Sequence, residues 1–195
     1  MKKHIVLTIA ALLTIFLISV SVAVQKLLRK ADALPALGTV PDFLLYDPGA
    51  QEFRRQKLEG KVFITDFIFT TCSGLCPMMT KNMVGVYNAY KNNDAVRFVS
   101  ISVNPEYDSP AVLGDYAKKL NVDIKRWYFL TGSREEITRL ALQGFQVGSV
   151  EDPVFHSGYL VLTDRKFQIR GYYDGTKPAQ VKKLIEDTGM LLKEK

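Results

Sequence analysis

Hydrophobic and polar positions divide the chain into one long apolar segment and a patterned remainder. The apolar segment, Ile5–Val24, contains twenty residues and no charge. A helix of that length crosses a hydrocarbon core of about 30 Å. Small residues with a proline and a glycine follow in 31–40, and from residue 41 short apolar runs alternate with polar loops. The pattern predicts a membrane anchor in 1–30, a linker in 31–40 and one folded domain in 41–195.

A cleaved signal peptide is the alternative interpretation of the apolar segment, because residues 21–23 form a small-residue motif that resembles a cleavage site. Signal-peptide cores run about 7–15 residues, which is shorter than this segment and favours an uncleaved anchor. No cysteine lies nearby to carry a lipid, and no Arg- and Ser-rich transit region precedes the segment. We therefore predict a single-pass protein of a bacterial inner membrane, with its domain facing the periplasm or outer side. The flanking charges leave this orientation open, because two lysines precede the segment and three basic residues follow it.

In the domain, β-branched and aromatic runs alternate with stretches that begin like helices. The runs predict strands at 62–69, 97–103, 127–130, 159–163 and 167–172. Prolines and capping residues predict helices at 76–92, 109–120, 133–142 and 177–192. A short hairpin is expected around the turn at 47–49. This order of elements predicts the α/β class, with a mixed central sheet flanked by helices.

The net charge of +6 suggests nucleic-acid binding until its distribution is considered. Residues 1–30 hold five basic residues and no acid, which leaves 21 basic and 20 acidic residues in 31–195. The basic excess therefore flanks the apolar segment, where it favours anionic headgroups. Residues 31–195, at a net +1, offer no basic surface for nucleic acid, and we expect the membrane and not nucleic acid as a partner.

The two cysteines of the chain, Cys72 and Cys76, directly follow the first long strand and precede a helix. Four residues apart at a helix start, they share one face, so both sulfurs can reach one metal ion or each other. A helix N-terminus also favours the thiolate form. A cysteine pair in this place is where the thioredoxin fold has its active site. A plain disulfide, two inert thiols and a zinc site are the alternatives that the spacing leaves open.

Other side chains near the pair in sequence are candidates with weaker support. His156 is the only histidine after the apolar segment; it lies in a loop before a strand and would complete a soft three-ligand set suited to copper. Met78 and Met79 have sulfur donors, but methionines in a first helical turn usually fill gaps in a core. Asp66 interrupts an apolar strand and is expected to position a cysteine or to cap a loop.

Three stretches together resemble the Sco/SenC proteins. They are Val62 to Pro77 with its Cys-x-x-x-Cys-Pro motif, Ser102–Pro110, and Phe155–Asp164 with its His-Ser pair. The resemblance covers residues 40–192 and includes the single apolar segment. It implies a thioredoxin-like domain, anchored in the membrane on the oxidising side, that binds copper as Cu(I), Cu(II) or both. By position, the implied ligands are Cys72, Cys76 and His156.

The resemblance also implies a metallochaperone that is not an enzyme. Its implied role is to deliver copper to, or to prepare, the binuclear copper centre of cytochrome c oxidase. The expected partners are the copper-bearing oxidase subunit, a copper donor and a thioredoxin-like reductant. The reductant is expected because an oxidising compartment would convert Cys72 and Cys76 to a disulfide, which removes the thiolates that copper requires.

One position departs from the family pattern. The family usually has aspartate where this chain has Asn104, and an acidic residue there is thought to assist metal handling or docking. Asp108 is retained in the same loop. Asp66, Asn104 and Asp108 are therefore the residues expected around the ligands. The alternative function is a thiol–disulfide oxidoreductase that reduces the cysteines of a copper protein. A thiol peroxidase is disfavoured because the cysteine loop contains no basic residue.

Overall fold

The computed structural model of the protein describes residues 12–21, 24, 33–148 and 158–194. The chain separates into two compact units, Met1–Leu34 and Pro35–Lys195. In the first unit, residues 12–21 are helical. Within the described ranges, no helix is both long and apolar enough to cross a membrane. Residues 5–11 of the predicted anchor lie outside those ranges, so the anchor stays a prediction.

A six-stranded mixed sheet organises the second unit, in the order β1-β8-β7-β4-β5-β6. The central strand β4 runs parallel to β5 on one side and antiparallel to β7 on the other. A separate antiparallel hairpin is formed by β2 and β3. The strands are β1 Gly38–Thr39, β2 Leu44–Tyr46, β3 Glu52–Arg54, β4 Val62–Ile68, β5 Val96–Ser102, β6 Trp127–Leu130, β7 Tyr159–Thr163 and β8 Gln168–Asp174.

Helices cover the sheet. They are α1 Cys76–Tyr90, α2 Pro110–Leu120, α3 Arg134–Arg139 and α4 Pro178–Lys193, with a short 3₁₀ helix at Arg55–Leu58. Ser109 and Ser133 cap α2 and α3 by accepting a backbone N–H, which confirms both predicted helix starts. Helix α1 packs against α4, and α2 packs against β6. The predicted α/β class and mixed sheet are therefore confirmed.

Two parts of the second unit differ from the expected element bounds. Gly38–Thr39 pairs with β8 and Val40 is fully buried, so the folded unit includes residues that were expected to be linker. The helix that begins after Ser133 becomes a π-helical turn at Leu140–Gly144. The sequence pattern predicts only that such a stretch is helical, because a single five-residue π turn is too short to show a period of its own.

Strand β4 explains where the site lies. All seven of its residues are buried, because neighbouring strands flank it and other elements cover both of its faces. Phe63 and Phe67 face the core cluster that contains Phe43 and Phe53. Side chains alternate along a strand, so Asp66 faces the opposite layer, which contains α1.

The topology brings two loops and the start of β7 to one edge of the sheet. Because β4 and β5 are parallel, their carboxyl ends, Ile68 and Ser102, are register partners at that edge. Strand β7 is antiparallel to β4, so β7 begins at the same edge, next to Gly158. Loops at the carboxyl ends of strands are the usual place for a site in an open α/β sheet. The cysteine loop, 69–75, is one of these loops.

Candidate metal and thiol site

The two cysteines occupy different structural positions at this edge. Cys72 lies in the turn after β4, where its backbone N–H donates to the Phe69 carbonyl over 3.2 Å. Cys76 is the first residue of α1. The expectation that both belong to one helical face is therefore wrong, because Leu75 is the cap residue that precedes the helix. Both residues are free thiols; Cys72 is partly exposed and Cys76 is buried, at 8% exposure.

The surroundings separate the acidities of the two thiols. Burial raises the pKa of Cys72, but hydrogen bonds from the Cys76 thiol and the backbone N–H groups of Cys76, Gly74 and Leu75 outweigh burial, so this pKa lies below its ordinary value. Burial raises the pKa of Cys76 to about 12, and the hydrogen bond to Cys72 adds to the increase. The more exposed sulfur therefore carries the first negative charge. The expectation that the N-terminus of α1 favours the thiolate form agrees with the lowered pKa of Cys72 and is wrong for Cys76, because burial outweighs the helix N-terminus there.

A cavity of about 280 Å³ opens beside the thiols, between α1 and α2. Both cysteines contribute to its wall, together with Thr70, Lys81 and mostly apolar side chains: Phe69, Pro77, Val84 and Leu120. Thr80 and Tyr116 also line it and lie within hydrogen-bond distance of each other, at 2.9 Å. This hydroxyl pair was not predicted, because its members come from different helices and no sequence spacing connects them.

Asp66 lies at the centre of a buried hydrogen-bond chain. The Ser100 hydroxyl donates to Asp66 Oδ1 over 2.6 Å, and Trp127 Nε1 donates to the same hydroxyl over 2.8 Å. Oδ2 of Asp66 is buried and has no hydrogen-bond partner among the described residues. Burial raises the pKa of Asp66 to about 7. Asp66 also contributes to the raised pKa of Cys76, so its expected connection with a cysteine is electrostatic.

Ser100 and Trp127 were not predicted, although the sequence contains a signal for Ser100. Ser100 interrupts the apolar strand β5 just as Asp66 interrupts β4. In the parallel register the two residues are direct partners. Two polar residues in adjacent buried strands predict a mutual hydrogen bond once the pairing is known. The indole of Trp127 gave no comparable signal.

Asp108 and Asn104 join the loop after β5 to the cysteine loop. The Asp108 carboxyl accepts hydrogen bonds from the Thr70 backbone N–H at 3.0 Å, the Thr70 hydroxyl at 2.5 Å and the Ser102 hydroxyl at 2.6 Å. Asn104 takes part through its backbone: its N–H donates to Ser102 Oγ, and its carbonyl accepts from the Asp108 N–H. Both expected residues therefore lie at the predicted edge.

The other candidate metal ligands are two methionines and a histidine, and the two methionines differ in exposure. Met79 is 2% exposed and packs in the interior, as expected for a methionine in a first helical turn. Met78 is 52% exposed, so the expectation that it fills a gap in the core is wrong. His156 lies outside the described residues, and within them no three His, Cys, Asp or Glu side chains form a metal-binding group. Gly158, two positions after His156, lies at the edge that carries the cysteine loop.

Comparisons with known proteins agree with this arrangement. The family model described as SCO1/SenC matches residues 31–193. The SCO1 protein homolog of Bacillus subtilis (strain 168) is 32% identical over 154 residues, which are 76% of this chain and 80% of that protein. A structure of BsSco, described as a member of the Sco family of cytochrome c oxidase assembly proteins with a disulfide switch, is 30% identical. It has a TM-score of 0.72 and covers 84% of this chain and 100% of its own.

Yeast Sco1 with copper bound is a more distant structural relative. It is 25% identical, has a TM-score of 0.62, and covers 78% of this chain and 89% of its own. The fold that these structures share with residues 35–194 confirms the predicted thioredoxin-like arrangement. The match of the family model extends over most of the chain and includes the cysteine loop and the residues around it. On these grounds the protein belongs to the SCO1/SenC family.

Proposed function

We propose that the protein binds copper through Cys72 and Cys76 and takes part in the assembly of cytochrome c oxidase. The observation that carries the proposal is the pair of free thiols at the sheet edge, one of them with a lowered pKa. Thiolate sulfur is a soft ligand that selects Cu(I), whereas structural zinc usually has four protein ligands. The two cysteines and His156 provide three candidate ligands, which fit copper better than structural zinc.

His156 is the proposed third ligand. Gly158 lies at the edge that carries the cysteine loop, and two residues of extended chain span about 7 Å at most. Chain connectivity therefore keeps His156 within reach of that edge. Imidazole accommodates both Cu(I) and Cu(II), so the third ligand would allow the site to hold either oxidation state.

The proposed partners and location follow from the relatives and from the apolar segment. BsSco is described as a member of a family of cytochrome c oxidase assembly proteins, and yeast Sco1 has been obtained with copper bound. For this chain we accordingly propose the copper-bearing oxidase subunit as the recipient, a separate copper donor and a thioredoxin-like reductant. The twenty uncharged residues Ile5–Val24 support a single-pass anchor in a bacterial inner membrane.

Anaerobic copper titration of the reduced full-length chain in detergent tests the ligand assignment. We expect one copper per chain and loss of tight binding in Cys72→Ser and Cys76→Ser. His156→Ala should weaken Cu(II) binding more than Cu(I) binding, because two thiolates suffice for the monovalent ion. His4→Ala, which removes the other histidine, is the matched control and should bind like the parent chain. Stoichiometric copper in the double cysteine variant would overturn the proposal.

Thiol–disulfide exchange is the second candidate function, and the unequal acidity of the two thiols favours it. The Cys72 thiolate would attack a disulfide of the copper protein and form a mixed disulfide. The Cys76 thiol would lose its proton and displace the partner, leaving the partner as a dithiol and Cys72–Cys76 as a disulfide. Two electrons pass to the partner, and a thioredoxin-like dithiol restores the pair. His156→Ala should leave this activity intact, because exchange needs no third ligand.

A further inference from the structure

Asp108 is a fully buried carboxyl group whose role the proposed copper chemistry does not explain. It is 0% exposed. Among the residues that the structure describes, no lysine or arginine forms an ion pair with it. Buried charges in proteins are usually paired or bound to metal, because removing them from water is costly. The carboxyl group is instead satisfied by hydrogen bonds from hydroxyl and backbone N–H donors.

The donors come from two different elements. Thr70, two residues before Cys72, donates both its backbone N–H and its hydroxyl, one to each carboxyl oxygen. Ser102, the last residue of β5, donates its hydroxyl to the oxygen that also accepts the Thr70 N–H. Thr70 therefore bonds the carboxyl through two groups, whereas Ser102 bonds it through one.

The backbone around Asp108 is connected to the sheet and to α2. Its backbone N–H donates to the Asn104 carbonyl over 2.9 Å, and the next residue, Ser109, caps α2. The Val103 N–H donates to the Ile68 carbonyl, which joins the start of this loop to the end of β4. Asp108 is thus held by the sheet and α2, and its carboxyl in turn holds the first part of the cysteine loop.

We propose that Asp108 is a positioning residue, which holds Thr70 and thereby sets the place of Cys72 relative to Cys76. This inference rests on the proposed function of the cysteine pair. Bonds from neutral donors to a carboxylate are about twice as strong as neutral pairs, so one side chain can fix the loop where a neutral one would not. Residues 71–75 can then change conformation between the dithiol, disulfide and metal-bound forms while Thr70 stays in place.

Thr70→Val and Thr70→Ser form a matched pair of variants that tests this role. Valine keeps the shape and the backbone N–H but removes the hydroxyl, whereas serine keeps both donors. Ser102→Ala removes a hydroxyl donor to the same carboxyl from outside the cysteine loop. Asp108→Asn keeps the shape and removes the charge. All four would be made in the full-length chain, with unfolding followed by the fluorescence of Trp127, the only tryptophan.

The expected result separates positioning from general stabilisation. Thr70→Val and Asp108→Asn should lower copper affinity about tenfold or more and change the thiolate-to-copper absorption, as substitutions around metal ligands commonly do. Thr70→Ser should keep the copper affinity and the absorption of the parent chain. Ser102→Ala should lower stability without changing the absorption. The proposal is overturned if Thr70→Val and Ser102→Ala reduce stability alike and neither changes the spectrum.

A metal-free measurement keeps this proposal distinct from the copper assignment. The equilibrium constant of the Cys72–Cys76 dithiol with oxidised dithiothreitol depends on the relative position of the sulfurs and needs no copper. We expect Thr70→Val to shift it by about tenfold and Ser102→Ala to leave it unchanged. If Cys72→Ser still binds copper, the proposed function fails, while the exchange constant still decides the role of Asp108. An unchanged constant in Thr70→Val overturns that role.

Discussion

At the scale of single residues, the two sulfurs of the site differ in exposure and acidity, and this difference can be measured chemically. Cys72 is partly exposed and has a lowered pKa, whereas Cys76 is buried and has a pKa raised to about 12. Since the thiolate is the reactive form, we expect iodoacetamide to modify Cys72 at least about tenfold faster at pH 7. Mass spectrometry of peptides from the reduced chain measures both rates. Equal rates would contradict the assignment of the first charge to Cys72.

Asp66 predicts a pH dependence of stability. Its pKa is raised to about 7 in the folded chain, against about 4 in an unfolded one. Between these values the folded chain binds more protons than the unfolded chain, so the free energy of unfolding falls as pH rises from 4 to 7. Asp66→Asn cannot ionise. We therefore expect the free energy of unfolding of the copper-free parent to fall, relative to that of this variant, by on the order of a few kcal/mol from pH 4 to 7.

Denaturant unfolding of the two copper-free chains at several pH values tests this expectation. The absolute stability of Asp66→Asn is not decisive, because its amide also changes the hydrogen bond with Ser100. The informative quantity is the difference between the two curves, since other titrating groups largely cancel. A difference that stays constant from pH 4 to 7 would show that Asp66 ionises as freely in the folded chain as in the unfolded one.

At the scale of elements, Arg170 of β8 forms a nearly buried ion pair with Asp164 inside the β7–β8 hairpin and a second, more exposed pair with Glu194 just after α4. Arg170 Nη1 lies 2.8 Å from Asp164 Oδ2 and 3.1 Å from a Glu194 oxygen. Removing one partner of a buried ion pair leaves the charge of the other partially unpaired in the interior, which is costly. We expect Asp164→Ala to lower the free energy of unfolding by about 2–3 kcal/mol.

An exposed pair on the same helix provides the control. Lys182 is 80% exposed, and its ammonium lies 3.9 Å from the Glu186 carboxyl. Exposed pairs of this kind contribute little, so Lys182→Ala should change the free energy of unfolding by less than about 0.5 kcal/mol. Comparable losses in the two variants would show that burial does not determine the strength of these pairs.

Most elements of the fold were predictable because their signals are local. Apolar runs identified strands β4 to β8, and Ser109 and Ser133 identified the starts of two helices. Strand β1 was missed because its two residues form a strand only by pairing with β8, more than a hundred residues later. The π-helical turn was missed because its five residues are too few to show a period different from that of an α-helix.

The candidate site was predictable where its residues are chemically unusual. Cys72 and Cys76 were found from their position between a strand and a helix, and Asp66 from its place in an apolar strand. The role of Thr70 was not predictable, because a threonine in a loop is common and its contact with Asp108 joins positions 38 residues apart. Such contacts depend on the register of β4 and β5, and this register cannot be deduced from a single sequence.

At the scale of the whole molecule, oxidation and metal binding are expected to exclude each other. A disulfide between Cys72 and Cys76 consumes the two thiolates that copper requires. We predict that the oxidised chain binds copper at least about tenfold more weakly, a difference of about 1.4 kcal/mol. Competition with a copper chelator measures this difference. Copper should also protect both thiols of the reduced chain from alkylation. Equal affinity of the two forms would favour the exchange activity over the copper assignment.

The proposed anchor predicts the behaviour of the full-length chain in cells. Twenty uncharged residues should retain the protein in the inner-membrane fraction after washing with high salt or carbonate. N-terminal sequencing should find the original start, with residues 1–24 present. A soluble periplasmic form that begins after Ala23 would instead identify the segment as a cleaved signal peptide. A variant lacking residues 1–30 is the control and should remain soluble.

Because Cys76 is buried, we expect the two sulfur ligands of a bound copper ion to be replaced in a fixed order. An incoming thiol from a partner meets the partly exposed sulfur first, because only 8% of Cys76 is accessible. If copper binds as proposed, we expect its transfer to a partner to be an associative exchange that starts at Cys72 and ends with the bond to Cys76. Release should accelerate with the concentration of the competing thiol, and dilution alone should release little metal. The recipient would therefore control when the ion leaves.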